Sequence, residues 1–81
     1  MNVTVRLFAT FRDWCPEHPK QWSFGMEVNQ HETVQELIKR LSLPDELPRI
    51  ILVNGIFASE NSHLYEGDII SIFPPLIGGT P

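Results

Sequence analysis

Thr33-Val34-Gln35-Glu36-Leu37-Ile38-Lys39-Arg40-Leu41 is the best helix of this chain, and the other elements are read outward from it. Thr33 stands three residues ahead of Glu36, the spacing at which the two side chains cap each other's backbone N–H groups. Val34, Leu37, Ile38 and Leu41 recur at i, i+3, i+4 and i+7 and lay down a single apolar stripe. Lys39 and Arg40 fall in the last turn, where cations favour the helix dipole. Pro44 stops any continuation.

On the N-terminal side, Met1 to Phe11 reads as a strand. Val3, Val5 and Leu7 alternate with Asn2, Thr4 and Arg6, and Phe8-Ala9-Thr10-Phe11 is more uniformly apolar, which blurs its end. Asp13 to Lys20, with Pro16 and Pro19, is a loop. Gln21 to Val28 reads as a second strand with Trp22, Phe24, Met26 and Val28 on one face, and Gly25 as a weak point or bulge. Trp22 is expected in the core and Trp14 partly exposed. On the C-terminal side, Ile50 to Val53 is a short apolar run. Asn54-Gly55 supplies the positive φ values of a tight hairpin turn, and Ile56-Phe57-Ala58 returns as a short strand. Leu64 to Asp68 is a turn, and Ile69 to Phe73 is the last strand, ended by Pro74-Pro75.

One helix among several strands predicts a two-layer α+β domain, with the helical stripe packed on one face of a mixed sheet. A helical crossover after an N-terminal hairpin places the first and last strands side by side in parallel. That is the β-grasp arrangement. Residues 1–77 form the domain and its lead-in, and residues 78–81, Gly-Gly-Thr-Pro, form a flexible tail.

The bulk numbers exclude several classes. Eighty-one residues make one domain. A net charge of −4, with Arg6, Arg12, Lys20, Lys39, Arg40 and Arg49 scattered, argues against binding a phosphate backbone. The single cysteine, Cys15, allows no internal disulfide and points to a reducing compartment. The absence of a membrane-spanning apolar run or a signal-peptide pattern gives cytoplasm as the expected location. Cys15 and His18 have neither the spacing nor a third group for catalysis. His18, His31 and His63 show no metal-ligand spacing, so no metal is expected. Asn54-Gly55 and Gly67 are isolated turn glycines, and no glycine-rich loop opens a helix to hold a nucleotide.

The set Val3 to Phe11, Thr33 to Leu41, Val53-Asn54-Gly55, Leu64-Tyr65-Glu66-Gly67-Asp68-Ile69 and Phe73-Pro74-Pro75-Leu76-Ile77-Gly78-Gly79 resembles the MoaD/ThiS family of ubiquitin-like sulfur carriers over essentially the whole chain. The Phe-Pro-Pro ending leans towards the molybdopterin branch. The resemblance implies a carrier with no acid, base or metal of its own. Its terminal glycine carboxylate is adenylated by an E1-like partner with ATP and magnesium, then converted to a thiocarboxylate that gives its sulfur to a metabolite held by a synthase subunit. Gly79 would be the reacting residue, Gly78 its minimal neighbour, and Pro74, Pro75, Leu76 and Ile77 a stiff apolar lead-in. Phe73, Leu76 and Ile77 are then candidates for a partner groove. Asp13, Glu17, Asp45, Glu46, Glu60, Glu66 and Asp68 read as solvated loop charges, some of which steer docking on a basic partner.

One feature departs from the family pattern. Thr80 and Pro81 follow Gly79, whose carbonyl is therefore held in a peptide bond. Three explanations stand: a precursor trimmed after Gly-Gly, for example by a JAMM-type zinc peptidase; a domain that has lost carrier chemistry and acts as a non-covalent binding module; or a cloning remnant. Conjugation of Gly79 to another protein's lysine is a further use of the same tail. The acceptor stays open among molybdopterin, thiazole, an amino acid or a secondary metabolite.

Overall fold

The parallel pairing of first and last strands organises the molecule. The computed structural model describes residues 1–14, 22–44 and 46–75. Five strands form one sheet: β1 Asn2–Leu7, β2 Ser23–Glu27, β3 Ile50–Val53, β4 Ile56–Phe57 and β5 Ile69–Phe73. Their spatial order is β2-β1-β5-β3-β4. β1 and β5 are parallel, with Val5 opposite Ile70 and Leu7 opposite Ile72, and the remaining pairs are antiparallel. This is the mixed β-grasp sheet expected from the sequence.

The single helix α1, Val34–Arg40, forms for the local reasons read above. The Glu36 N–H donates to Thr33 Oγ1 and the Thr33 N–H donates to Glu36 Oε1, so the capping box is closed in both directions. Val34, Leu37 and Ile38 are fully buried and share one core with Val3, Val5, Leu7, Phe24, Ile51, Ile70 and Ile72. Burying an aliphatic side chain of this size contributes about 1.5–3 kcal/mol. The helix therefore covers one sheet face, and the alternate strand residues form the other, open face. The β3–β4 turn has φ of 54° at Asn54 and 83° at Gly55, as an Asn-Gly hairpin requires.

The structure corrects the sequence-based expectations at the ends of the first two strands. The first strand does not run to Phe11. It ends at Leu7, Ala9 takes a φ of 53°, and the chain enters a 3-10 helix over Ala9–Trp14 that buries Phe11. The second correction concerns Trp22, which lies outside the core. β2 begins at Ser23, so the alternation that places Phe24 inward stops there. Trp22 is 41% exposed and rests against Phe8. Gly25 pairs directly with Thr4 and marks no bulge.

Candidate functional site

The strand that leads to the tail is in the middle of the sheet. β5 is paired on both sides, by β1 and β3, so its direction is fixed along its length. At its end Phe73 stacks on Phe8, with ring centroids 4.2 Å apart and planes 11° from parallel. Phe8 in turn meets Trp22 at 5.3 Å, and the Arg6 guanidinium lies 5.5 Å from the Trp22 ring centre. Pro74 and Pro75 follow, half-buried. Leu76, Ile77, Gly78, Gly79, Thr80 and Pro81 lie outside the described residues, as do Cys15, Glu17, His18 and Asp45.

The open face continues from this aromatic group across the sheet. Ile50 stands opposite Phe73, and Leu52 is flanked by Ser71 and Phe57. Phe57 is 78% exposed, an unusual exposure for so large an apolar ring. Together these residues form an apolar surface that reaches the C-terminal end of β5. Phe73, Pro74 and Pro75, expected from sequence as candidates for a partner groove, stand at the C-terminal end of β5 beside this surface. Phe8, Trp22 and Phe57 were not singled out as such, although an apolar residue directly after an alternating run, as at Phe8, is a usable signal.

The opposite end of β5 is locked by polar contacts. Asp68 was read as a solvated loop charge but is buried, with 8% exposure. Its Oδ1 accepts from Asn54 Nδ2 and its Oδ2 from the Tyr65 N–H, both at 2.9 Å. Asn54 Oδ1 accepts from the Ile69 N–H, and Glu66 Oε1 accepts from the Asn2 N–H. Turn, strand entry and first strand are thereby tied together. Glu60, also read as solvated, pairs with Arg49 at 2.9 Å. Glu32 was missed from sequence. It is 4% exposed, accepts from the Asn29 N–H and meets Arg40 Nε at 3.1 Å. Arg40 thus bonds a buried carboxylate and the Glu27 carbonyl, in addition to its place near the helix C-terminus. These groups are structural braces.

His31 and His63 come closer than their sequence separation implies, with ring centroids 6.5 Å apart beside the Thr33–His63 bridge. Among the described residues, no three metal-ligating side chains converge. Among the same residues, no helix is long and apolar enough to cross a membrane.

A five-stranded mixed sheet with one helix on one face and its C-terminal strand in the middle, parallel to the first, defines the ubiquitin-like β-grasp class. SAMP1, the small archaeal modifier protein 1 of Haloferax volcanii, superposes with a TM-score of 0.75 at 20% identity, over 98% of this chain and 100% of that one. A putative molybdopterin converting factor subunit 1 from Pyrococcus furiosus gives 0.74 at 23% identity, over 94% and 99%. A complex of subunits 1 and 2 of the molybdopterin-converting factor from Helicobacter pylori gives 0.62 at 27%, over 98% and 100%. No curated protein matches the sequence. The ThiS family pattern matches residues 5–79, and the chain belongs to the ThiS family. Its fold is that of the small sulfur carriers, proteins that in general do no catalysis of their own.

Proposed function

We propose that this protein is a sulfur carrier that works through Gly79 once Thr80 and Pro81 have been removed. The observation that carries the reading is the extent of the family match. It ends at Gly79, so the family pattern takes in both glycines and leaves Thr80-Pro81 beyond it. In the first step a peptidase, of the JAMM zinc type, hydrolyses the Gly79–Thr80 bond and releases a Thr-Pro dipeptide and a Gly79 carboxylate. An E1-like enzyme then uses ATP and magnesium. The carboxylate oxygen attacks the α-phosphorus, pyrophosphate leaves, and an acyl-adenylate forms. Sulfide displaces AMP to give the thiocarboxylate, whose sulfur attacks a metabolite held by a synthase subunit.

In this reading the partners supply the acid, base, nucleotide site and metal. The chain's contribution is a side-chain-free reacting end and a docking face. Gly78 and Gly79 fit a narrow channel because neither carries a Cβ. Pro74 and Pro75 end the last strand, Leu76 and Ile77 continue the apolar lead-in of the sequence, and Phe73 joins Phe8 and Phe57 in the surface that a partner covers. The Phe73-Pro74-Pro75 ending and the likeness to a chain of the Helicobacter pylori molybdopterin-converting factor complex favour a molybdopterin-type acceptor.

The test is the intact mass of the protein from its native host. Loss of Thr80 and Pro81, with sulfur in place of oxygen in part of the population, is the expected result. A full-length mass throughout, under conditions that demand the cofactor, sinks the reading. Gly79→Ala in the trimmed form is expected to lose most adenylation, read as pyrophosphate release. The likeness to a small archaeal modifier protein favours a second reading, in which the trimmed Gly79 is joined to lysines of other proteins. Isopeptide remnants on lysines in the same host would mark it.

A further inference from the structure

Among the described strand residues, the open face of the sheet carries one cation, Arg6 on β1, which lies between β2 and β5. Its neighbours in register are Ser23 and Ser71. Its Nε is buried and has no hydrogen-bond partner. The guanidinium is held against Trp22 by a cation–π contact. Two other arginines behave differently. Arg40 meets the Glu32 carboxylate and Arg49 meets the Glu60 carboxylate. Arg6 is thus a positioned fork with N–H donors and no acceptor of its own. It sits beside the apolar surface of Phe8, Phe73 and Leu52, in a chain of net charge −4.

We propose that Arg6 receives a carboxylate from the adenylating enzyme when that enzyme covers the open face. The inference rests on the proposed function for the existence of that partner. A carboxylate is the chemistry that fits, because it accepts two parallel N–H bonds from a guanidinium plane. Trp22 fixes that plane in advance, so little side-chain freedom is lost on docking. The surrounding apolar residues exclude water once the face is covered, which strengthens the ion pair. Arg6 then acts as a specificity residue. A partner face that is apolar throughout would leave the guanidinium buried and unpaired, and would be rejected.

The experiment measures binding of the chain trimmed to end at Gly79, the form on which the proposed function has the enzyme act, to the purified adenylating enzyme of the same host, for the wild type, Arg6→Leu, Arg6→Gln, Arg6→Lys and Phe73→Ala. Arg6→Leu is expected to weaken binding ~30-fold or more, through faster dissociation, because the enzyme's carboxylate is left buried and unpaired. Arg6→Gln should behave similarly, and Arg6→Lys should recover only part of the loss. In the wild-type complex the Arg6 Hε resonance should shift downfield, a change that a purely structural role would not produce. Unchanged or tighter binding by Arg6→Leu, with Phe73→Ala weakened, overturns the inference and leaves the proposed function standing. No binding by the wild type removes the docking reading and the inference together. Backbone amide spectra of each free variant establish that it is folded.

Discussion

The two faces of the sheet come from alternate residues of the same strands, yet their chemistry is opposite. The covered face, Val3, Val5, Leu7, Phe24, Ile51, Ile70 and Ile72, is aliphatic apart from one ring and is buried against α1. The open face mixes Phe8, Phe73, Phe57 and Leu52 with Thr4, Arg6, Ser23 and Ser71. One face holds the fold together. The other keeps large rings in or near water at some cost in solubility, and is free to serve a partner. The period of two along a strand lets one short chain satisfy both demands without interference.

That division can be broken most severely from the covered side. Leu37→Ala removes a fully buried side chain of α1 and is expected to cost about 2–5 kcal/mol, read from urea unfolding. A loss below about 1 kcal/mol would mean that the helix is not a full half of the core. Next comes the polar lock at the far end of β5. Asp68→Ala strands the Asn54 amide and the Tyr65 N–H, for an expected loss of about 1–3 kcal/mol. Unchanged stability would show that water replaces the carboxylate freely. The capping box is smaller still. Thr33→Ala should cost about 1 kcal/mol, and Thr33→Gly only a few tenths, by the same unfolding measurement. The smallest stability effect belongs to the open face. Phe57→Ala should change unfolding by no more than about 0.5 kcal/mol while weakening partner binding measurably. A large stability loss there would erase the contrast between the faces.

Much of the first face was legible in sequence, because burial imposes a period. The alternation of Val3, Val5 and Leu7, the helical stripe from Val34, and the Asn54-Gly55 turn each stand where the pattern placed them. The errors arose where the pattern had no physical cause behind it. Phe8 to Phe11 is apolar, but the positive φ at Ala9 turns the chain into a 3-10 helix. Trp22 continues the alternation on paper only: its carbonyl accepts from the Leu7 N–H, but β2 begins at Ser23 and the Trp22 ring rests against Phe8 on the open face. Asp68 and Glu32 look like ordinary surface charges because their partners, Asn54 and Arg40, are distant in sequence and supplied by folding. Of the candidate site, Phe73, Pro74 and Pro75 were singled out in sequence, and the structure places Phe73 in a stack on Phe8. Gly78 and Gly79 announce themselves by composition, and their placement falls outside the described residues.

The parallel zipper of β1 and β5 joins the residues around Thr4 to those around Ile69, among the most distant in the chain. Local segments can form early, but this seam closes only after the loop between its strands has been brought together, an entropically slow step. The Phe8–Phe73 stack is built across that seam. A partner that grips the stacked pair therefore touches a surface that does not exist in a half-made molecule. Such a partner would inspect the fold as it binds, because the stacked pair exists only in chains whose two most remote strands have met.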